Sequence, residues 1–103
     1  MTAVVWLKEA LTDLRGIHAY IARDNPAAAR RVVKAIRDDV KVLEQHPLIG
    51  RAGRIEGTRE LVIGRYPYIV AYRPVFPAVH VLAVVHTSRR WPEQLLSDSR
   101  DQE

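Results

Sequence analysis

Cysteine is absent from the 103 residues. That excludes disulfides, thiolate metal sites and cysteine nucleophiles, and it makes the cytoplasm the expected location. Long apolar runs are missing too. No stretch approaches the roughly eighteen apolar residues of a membrane-spanning helix, so no membrane partner is expected. Met1–Trp6 has no basic segment ahead of a long apolar core and does not read as a secretory signal. The four histidines, at 18, 46, 80 and 86, lack the spacing to carboxylates that a metal site requires. Neither a metal nor a cofactor is expected. Lysine is scarce: Lys8, Lys34 and Lys41 are the only three among sixteen cations, and the other thirteen are arginine. Arginine is the side chain suited to bidentate contact with phosphate or carboxylate.

What is present fits one globular domain. Hydrophobic residues make up 48% and charged residues 27% of the chain, as in ordinary compact proteins. Residues 1–96 are expected to form the domain and 97–103 a polar tail that frays. The net charge of +4 is unevenly spread. Residues 1–46 hold eight cations against six anions. Residues 47–91 hold seven arginines against Glu56 and Glu60, and 92–103 hold Arg100 against four acids. The basic central block suits a polyanion or an acidic protein, although a solvated basic face has the same composition.

Thr2–Leu7 is rich in β-branched and aromatic residues and reads as a strand buried on both faces. It must enter the sheet by non-local pairing. Lys8–Arg23 then has helical periodicity, with Leu11, Leu14, Ile17, His18 and Ile21 on one stripe. His18 is therefore expected in a core or an interface. Gly16 lowers helix propensity by up to about 1 kcal/mol, and close approach of a second helix is one reason to keep it. Asn25 is placed to cap the next helix, and Pro26 suits its first position. The stripe Ala29, Val32/Val33, Ile36, Val40 and Leu43 carries that helix to about Gln45, where Pro47 ends it. The short link demands an antiparallel helix hairpin.

Leu48–Gly57 reads as a loop bearing Arg51 and Arg54. Its Gly50, Gly53 and Gly57 do not make a phosphate-binding loop, because no Lys-Ser/Thr follows. Thr58–Ile63, Tyr68–Arg73 and Val79–Thr87 read as strands joined by short turns, hence an antiparallel meander. The prolines confine Pro74–Pro77 to a turn. Strict alternation puts Val79, Val81, Ala83 and Val85 on one face and His80, Leu82, Val84 and His86 on the other. Glu93–Leu96 has room for one helical turn. The fold class is α+β: an N-terminal strand, a helix hairpin and a three-stranded meander (β-α-α-β-β-β).

Several spaced motifs agree in order with one known family. They are Asp24-Asn25-Pro26-Ala27-Ala28-Ala29, Pro47…Gly50-Arg51…Gly53-Arg54, Gly57-Thr58-Arg59-Glu60-Leu61-Val62-Ile63, Pro67-Tyr68-Ile69-Val70-Ala71-Tyr72-Arg73 and His86…Trp91-Pro92. Over about residues 3–92 the chain resembles the RelE/ParE superfamily of toxins of type II toxin–antitoxin modules. The resemblance implies a bacterial toxin held inactive by a cognate antitoxin, whose acidic, partly disordered tail wraps it in a hetero-oligomer. RelE-like members cut mRNA on the ribosome, whereas ParE-like members act on DNA gyrase without nuclease activity. Nuclease members usually carry an arginine where this chain has Tyr68, and some carry lysines where it has Glu60 and Val62. Those departures favour a ParE-like, gyrase-directed toxin, associated with plasmid stabilisation and growth arrest. The alternatives are a metal-independent, ribosome-dependent mRNA endoribonuclease and a non-toxic antitoxin-binding co-repressor.

RNA cleavage through the 2′-hydroxyl needs a proton acceptor, a proton donor and cations around the phosphate. If the chain is a nuclease, His86, Arg73, Arg89 and Arg90 are the candidate catalytic residues. Arg51, Arg54, Arg59, Tyr68, Tyr72, Arg73 and Trp91 are the candidates for binding the target or antitoxin, with the tyrosines able to stack on a base. Plainer roles are open to each. His86 can be a hydrogen-bonding strand end, Arg59 can pair with a neighbouring carboxylate, and Trp91-Pro92 can close the edge of the core. The antitoxin contact is expected to have an apolar centre and an acidic rim against Arg59, Arg73 and Arg89.

Overall fold

The computed structural model describes residues 1–88. Arg89, Arg90, Trp91, the helical turn expected at Glu93–Leu96 and the polar tail lie outside the described residues. Strand β1 (Ala3–Trp6) runs directly into helix α1 (Lys8–Ala22). Helix α2 (Pro26–Lys41) follows and tightens into a single 3-10 turn (Val42–Glu44). Strands β2 (Arg51–Ala52), β3 (Arg59–Ile63), β4 (Tyr68–Val75) and β5 (Ala78–His86) complete the described residues. The expected β-α-α-β-β-β order is present, with the short β2 added inside the loop expected at 48–57.

Local chemistry explains the break between the helices. Asn25 is extended, and its side-chain oxygen accepts a hydrogen bond from the Ala28 N–H at 3.0 Å, while Pro26 takes the first helical position. This satisfies one of the unpaired donors at the helix start, and proline there removes another at no cost. Ala29, Val32, Ile36 and Val40 then repeat on one face of α2, and all are buried. On α1, Ala10 and Leu14 are buried, with Ile17 and Ile21 packed beside them.

The sheet order is β1-β5-β4-β3-β2. The last described strand, β5, is therefore interior, flanked by β4 (antiparallel) and β1 (parallel). Ala3 pairs with Ala78 and Trp6 with Val81. Being an edge strand, β1 is not buried on both faces: Val4 and Trp6 pack on the core, but Val5 stays 41% exposed.

A bulge divides β5. Ala71 pairs with Ala83, but the next residue, Tyr72, pairs with Val81, so Leu82 is the extra residue. One inserted residue exchanges the two faces of a strand. Val79 and Val81 thus join Val84 in the helix-side core with Tyr68, Val70 and Tyr72, while Ala83 and Val85 form a second cluster with Ala71. The alternation expected for this strand holds on each side of the bulge and fails across it.

One turn expectation also changes, as do two in α1. Strand β4 continues through Pro74 and Val75, leaving only Phe76 and Pro77, joined by a cis peptide, between β4 and β5. Proline is accepted there because Pro74 pairs with Val79 near the end of the ladder. Gly16 does not admit a second helix: a Cβ at that position would meet nothing within 4 Å. His18 is exposed rather than in the core.

Candidate functional site

Both helices lie on one face of the sheet. The other face carries Val5, His80, Leu82, Ile69, Arg73, Val75, Val62 and the Arg51–Glu60 pair, and its apolar cluster contains no helix residue. Val62 is 51% and Val75 43% exposed. The result is an apolar strip edged by charge and uncovered by any other described element, the kind of surface that marks a macromolecular contact.

At the β2–β3 edge, two of the expected binding residues, Tyr72 and Arg59, hold a loop in place. Tyr72 is wholly buried, and its hydroxyl accepts a hydrogen bond from the Gly50 N–H at 2.8 Å. Arg59 donates through Nη1 to the carbonyl oxygens of Leu48 (3.0 Å) and Gly50 (2.8 Å). A Cβ at Gly50 would lie 2.7 Å from the Tyr72 ring and 2.8 Å from the Glu60 carbonyl, so only glycine fits this junction. Tyr72 is therefore unavailable for base stacking, and Arg59 is a loop anchor that is only half exposed. Burial pushes the Tyr72 hydroxyl above its ordinary pKa, with the Gly50 hydrogen bond and nearby Arg59 opposing.

Arg51 donates to Glu60 Oε1 through Nε (3.1 Å), with Nη2 3.0 Å from the same oxygen. Glu60 is buried while Arg51 remains open to solvent. Arg54 is exposed on the same loop. Arg73 is exposed on the open face, near Gly57, whose φ of +84° requires glycine.

His86 and Tyr68 sit at the opposite end of the sheet and on the helix side. Their rings meet edge to face, 5.4 Å between centroids. His86 Nδ1 accepts the Ser88 N–H at 3.1 Å and lies 2.8 Å from the Ser88 hydroxyl. The lone pair is thus on Nδ1, and in the neutral ring Nε2 carries the proton. Around these residues is a cleft of about 540 Å³, walled by Asp13, Gly16, Ile17 and Tyr20 of α1. Burial raises the Tyr68 pKa, and the neighbouring Tyr20 adds to the effect.

Asp13, which sequence reasoning passed over, has a clear task here. Strand β1 ends opposite Val81, leaving the rest of β5 without a partner strand on that side among the described residues. Asp13 Oδ2 accepts the Val84 N–H at 3.0 Å and so occupies that open edge. Nothing in the local pattern of α1 marks it, because its partner lies 71 residues away.

The expected catalytic set does not assemble among the described residues. Tyr68, the partner of His86, precedes Arg73 by five positions along β4. That is about 16 Å at the usual strand rise, and the two side chains point to opposite faces. No group of histidines and carboxylates among the described residues is arranged to hold a metal, and no described helix is long and apolar enough to cross a membrane.

The family model for the ParE toxin of type II toxin–antitoxin systems, parDE, matches residues 4–91. The chain belongs to the ParE toxin family. The Y4kP protein of Sinorhizobium fredii is 46% identical to this family member over 90 residues, covering 87% of this chain and 93% of that one. Toxin RelE2 of Caulobacter vibrioides is 34% identical over 89 residues, covering 86% and 99%. Among solved structures, the chromosomal ParDE system of P. aeruginosa superposes with a TM-score of 0.76 at 27% identity, over 84% of this chain and 96% of that one. The isolated E. coli RelE toxin gives 0.64 at 12% identity, over 96% and 98%, which speaks to fold alone. This ParE-family chain is accordingly a toxin of a type II toxin–antitoxin system, and its family implies an antitoxin partner.

Proposed function

We propose that this toxin arrests growth by binding DNA gyrase and does not cleave RNA. One observation carries the reading: His86 and Arg73 stand on opposite faces of the sheet, so they cannot share a phosphate. The state of His86 adds support. Its Nδ1 already accepts the Ser88 N–H, so that nitrogen is not free to take a proton from a 2′-hydroxyl. The open face of the sheet, with Arg73 at its margin, is the proposed contact with target or antitoxin.

The alternative, ribosome-dependent mRNA cleavage, has one feature in its favour. The cleft beside His86 is large enough for a nucleotide and is lined by Tyr20 and Tyr68. Arg89 and Arg90 would have to supply its cations.

Expression of the wild type and of His86→Ala/Arg89→Ala/Arg90→Ala in growing cells tests the choice, with mRNA 5′ ends and DNA breaks scored together. DNA breaks with filamentation and intact mRNA are expected. Codon-phased mRNA ends that disappear in the triple variant would overturn the gyrase reading. Harmless expression of folded wild type would instead leave a co-repressor.

A further inference from the structure

The loop Leu48–Gly57 exposes apolar side chains on a backbone that the fold holds still. Leu48 is 53% and its neighbour Ile49 56% exposed, and Ile55 is exposed further along. Each of the three has a main-chain group tied down. The Leu48 carbonyl accepts from Arg59 Nη1 at 3.0 Å, and the Ile49 N–H donates to the His46 carbonyl at 3.2 Å. The Ile55 carbonyl accepts both the N–H (3.0 Å) and the hydroxyl of Thr58, itself buried. Between them, the Gly50 N–H donates to the Tyr72 hydroxyl and the Gly53 N–H to the Thr58 carbonyl, both at 2.8 Å. Buried Tyr72 and Thr58 and half-buried Arg59 thus fix a segment whose own aliphatic side chains stay in water. Core packing does not explain the arrangement, because neither Leu48 nor Ile49 belongs to either apolar cluster. Cations flank the aliphatic pair. Arg51 is steered by Glu60, which meets Nε and Nη2 with one oxygen, and 60% of the Arg51 side chain stays exposed. Arg54 is exposed three residues on, and Glu56 is the one acid in the loop.

We propose that this loop is a preformed plug for a protein partner, with Leu48 and Ile49 entering an apolar depression and Arg51 meeting carboxylates at its rim. Two adjacent aliphatic side chains on fixed backbone offer burial without the ordering cost that a mobile loop incurs on binding. Charge complementarity makes the partner's rim acidic. A phosphate backbone would use the arginines and leave both aliphatic side chains in water. A lipid surface is fluid and gains nothing from a fixed backbone, and the loop lacks the aromatic residues of interfacial anchors. That gyrase supplies the depression rests on the proposed function; the form of the plug does not.

Because the chain has no cysteine, one introduced thiol is a unique labelling point. Ala52→Cys, at an exposed position of the same loop, carries a polarity-sensitive dye in the full chain, and Arg30→Cys on the exposed side of α2 is the control. Purified gyrase should shift the emission at position 52 to the blue, saturably, and leave the control unmoved. Raising salt from about 50 to about 300 mM should weaken the binding, since the rim charges are screened. In competition with the labelled chain, Leu48→Ser/Ile49→Ser should bind gyrase about tenfold or more weakly, and it should no longer arrest growth. Leu48→Met/Ile49→Leu keeps the apolar bulk and should bind like the wild type. Thermal unfolding of each variant separates loss of fold from loss of contact. Equal gyrase binding by the wild type and the serine variant would overturn the plug and leave the gyrase reading standing. Growth arrest by a wild type that does not bind gyrase would overturn the gyrase attribution, and arrest that persists in the serine variant would then overturn the plug as well. An affinity indifferent to salt would overturn the acidic rim. The same blue shift on phosphatidylglycerol vesicles, with none on gyrase, would replace the protein partner by a lipid surface.

Discussion

Tyr72 joins the sheet to the loop that precedes it, and its removal has a defined cost. Tyr72→Phe leaves the ring in place but deprives the Gly50 N–H of its acceptor in a buried setting. We expect a loss of about 1–2 kcal/mol in urea unfolding, the usual consequence of an orphaned buried donor. The same hydroxyl makes stability depend on alkaline pH. Burial raises the folded-state pKa values of Tyr68 and Tyr72 above the ordinary 10.0. Groups with raised values stabilise fully below the unfolded pKa, and that contribution is lost as pH rises through the folded one. Midpoints should therefore hold up to about pH 10 and fall above it, with a shallower fall in Tyr72→Phe. Arg51→Ala is the companion experiment: it leaves Glu60 buried without its partner. With Arg51 itself exposed, we expect about 1–2 kcal/mol of destabilisation, and little in the double variant with Glu60→Gln.

Among the elements, α1 holds the clearest contrast between sequence and structure. Its periodicity locates the helix and its core residues Leu14, Ile17 and Ile21, and it places His18 in a core or an interface; the structure leaves His18 exposed, outside the core. A stripe read from spacing has a width, and position 18 falls at its margin, where only the packing of α2 decides. Gly16 is similar: the sequence shows a helix-weakening residue, and only the structure shows that it borders the cleft rather than α2. Gly16→Ala should stabilise the protein by up to about 1 kcal/mol in thermal unfolding, because nothing within 4 Å opposes the methyl group. If the cleft beside His86 serves function, the stabilised variant loses toxicity; if it does not, toxicity persists. The three strands of the meander were legible because turn residues bound them. The bulge at Leu82 was not, since it depends on how β4 and β5 meet, and it altered which residues share a face. Tyr72 and Arg59 were singled out for chemistry that makes them good ligands. The same chemistry makes them good internal anchors, and residue type alone does not separate the two uses.

At the scale of the whole molecule, the described residues are arranged one-sidedly: helices on one face of the sheet, an apolar strip on the other that no other described element covers, and exposed arginines on both sides. Antitoxin binding should accordingly weaken with salt, since exposed charges are screened over about 8 Å at physiological ionic strength. Titration calorimetry across a salt series checks this, and a flat series would contradict the charged rim at Arg73. The parallel pairing of residues 3–6 with 78–81 has a consequence for synthesis. A strand made before the helix hairpin waits for one made after β2, β3 and β4, and the strand it waits for is interior to the sheet. Long-range parallel pairing is slow to form, because loop closure precedes any stabilising contact. Until Ala78–His86 exists, β4 lacks its inner neighbour and the helices lack much of their floor. The sheet is therefore completed late by topology: its described strands come together nearly all at once, when β5 closes on β1.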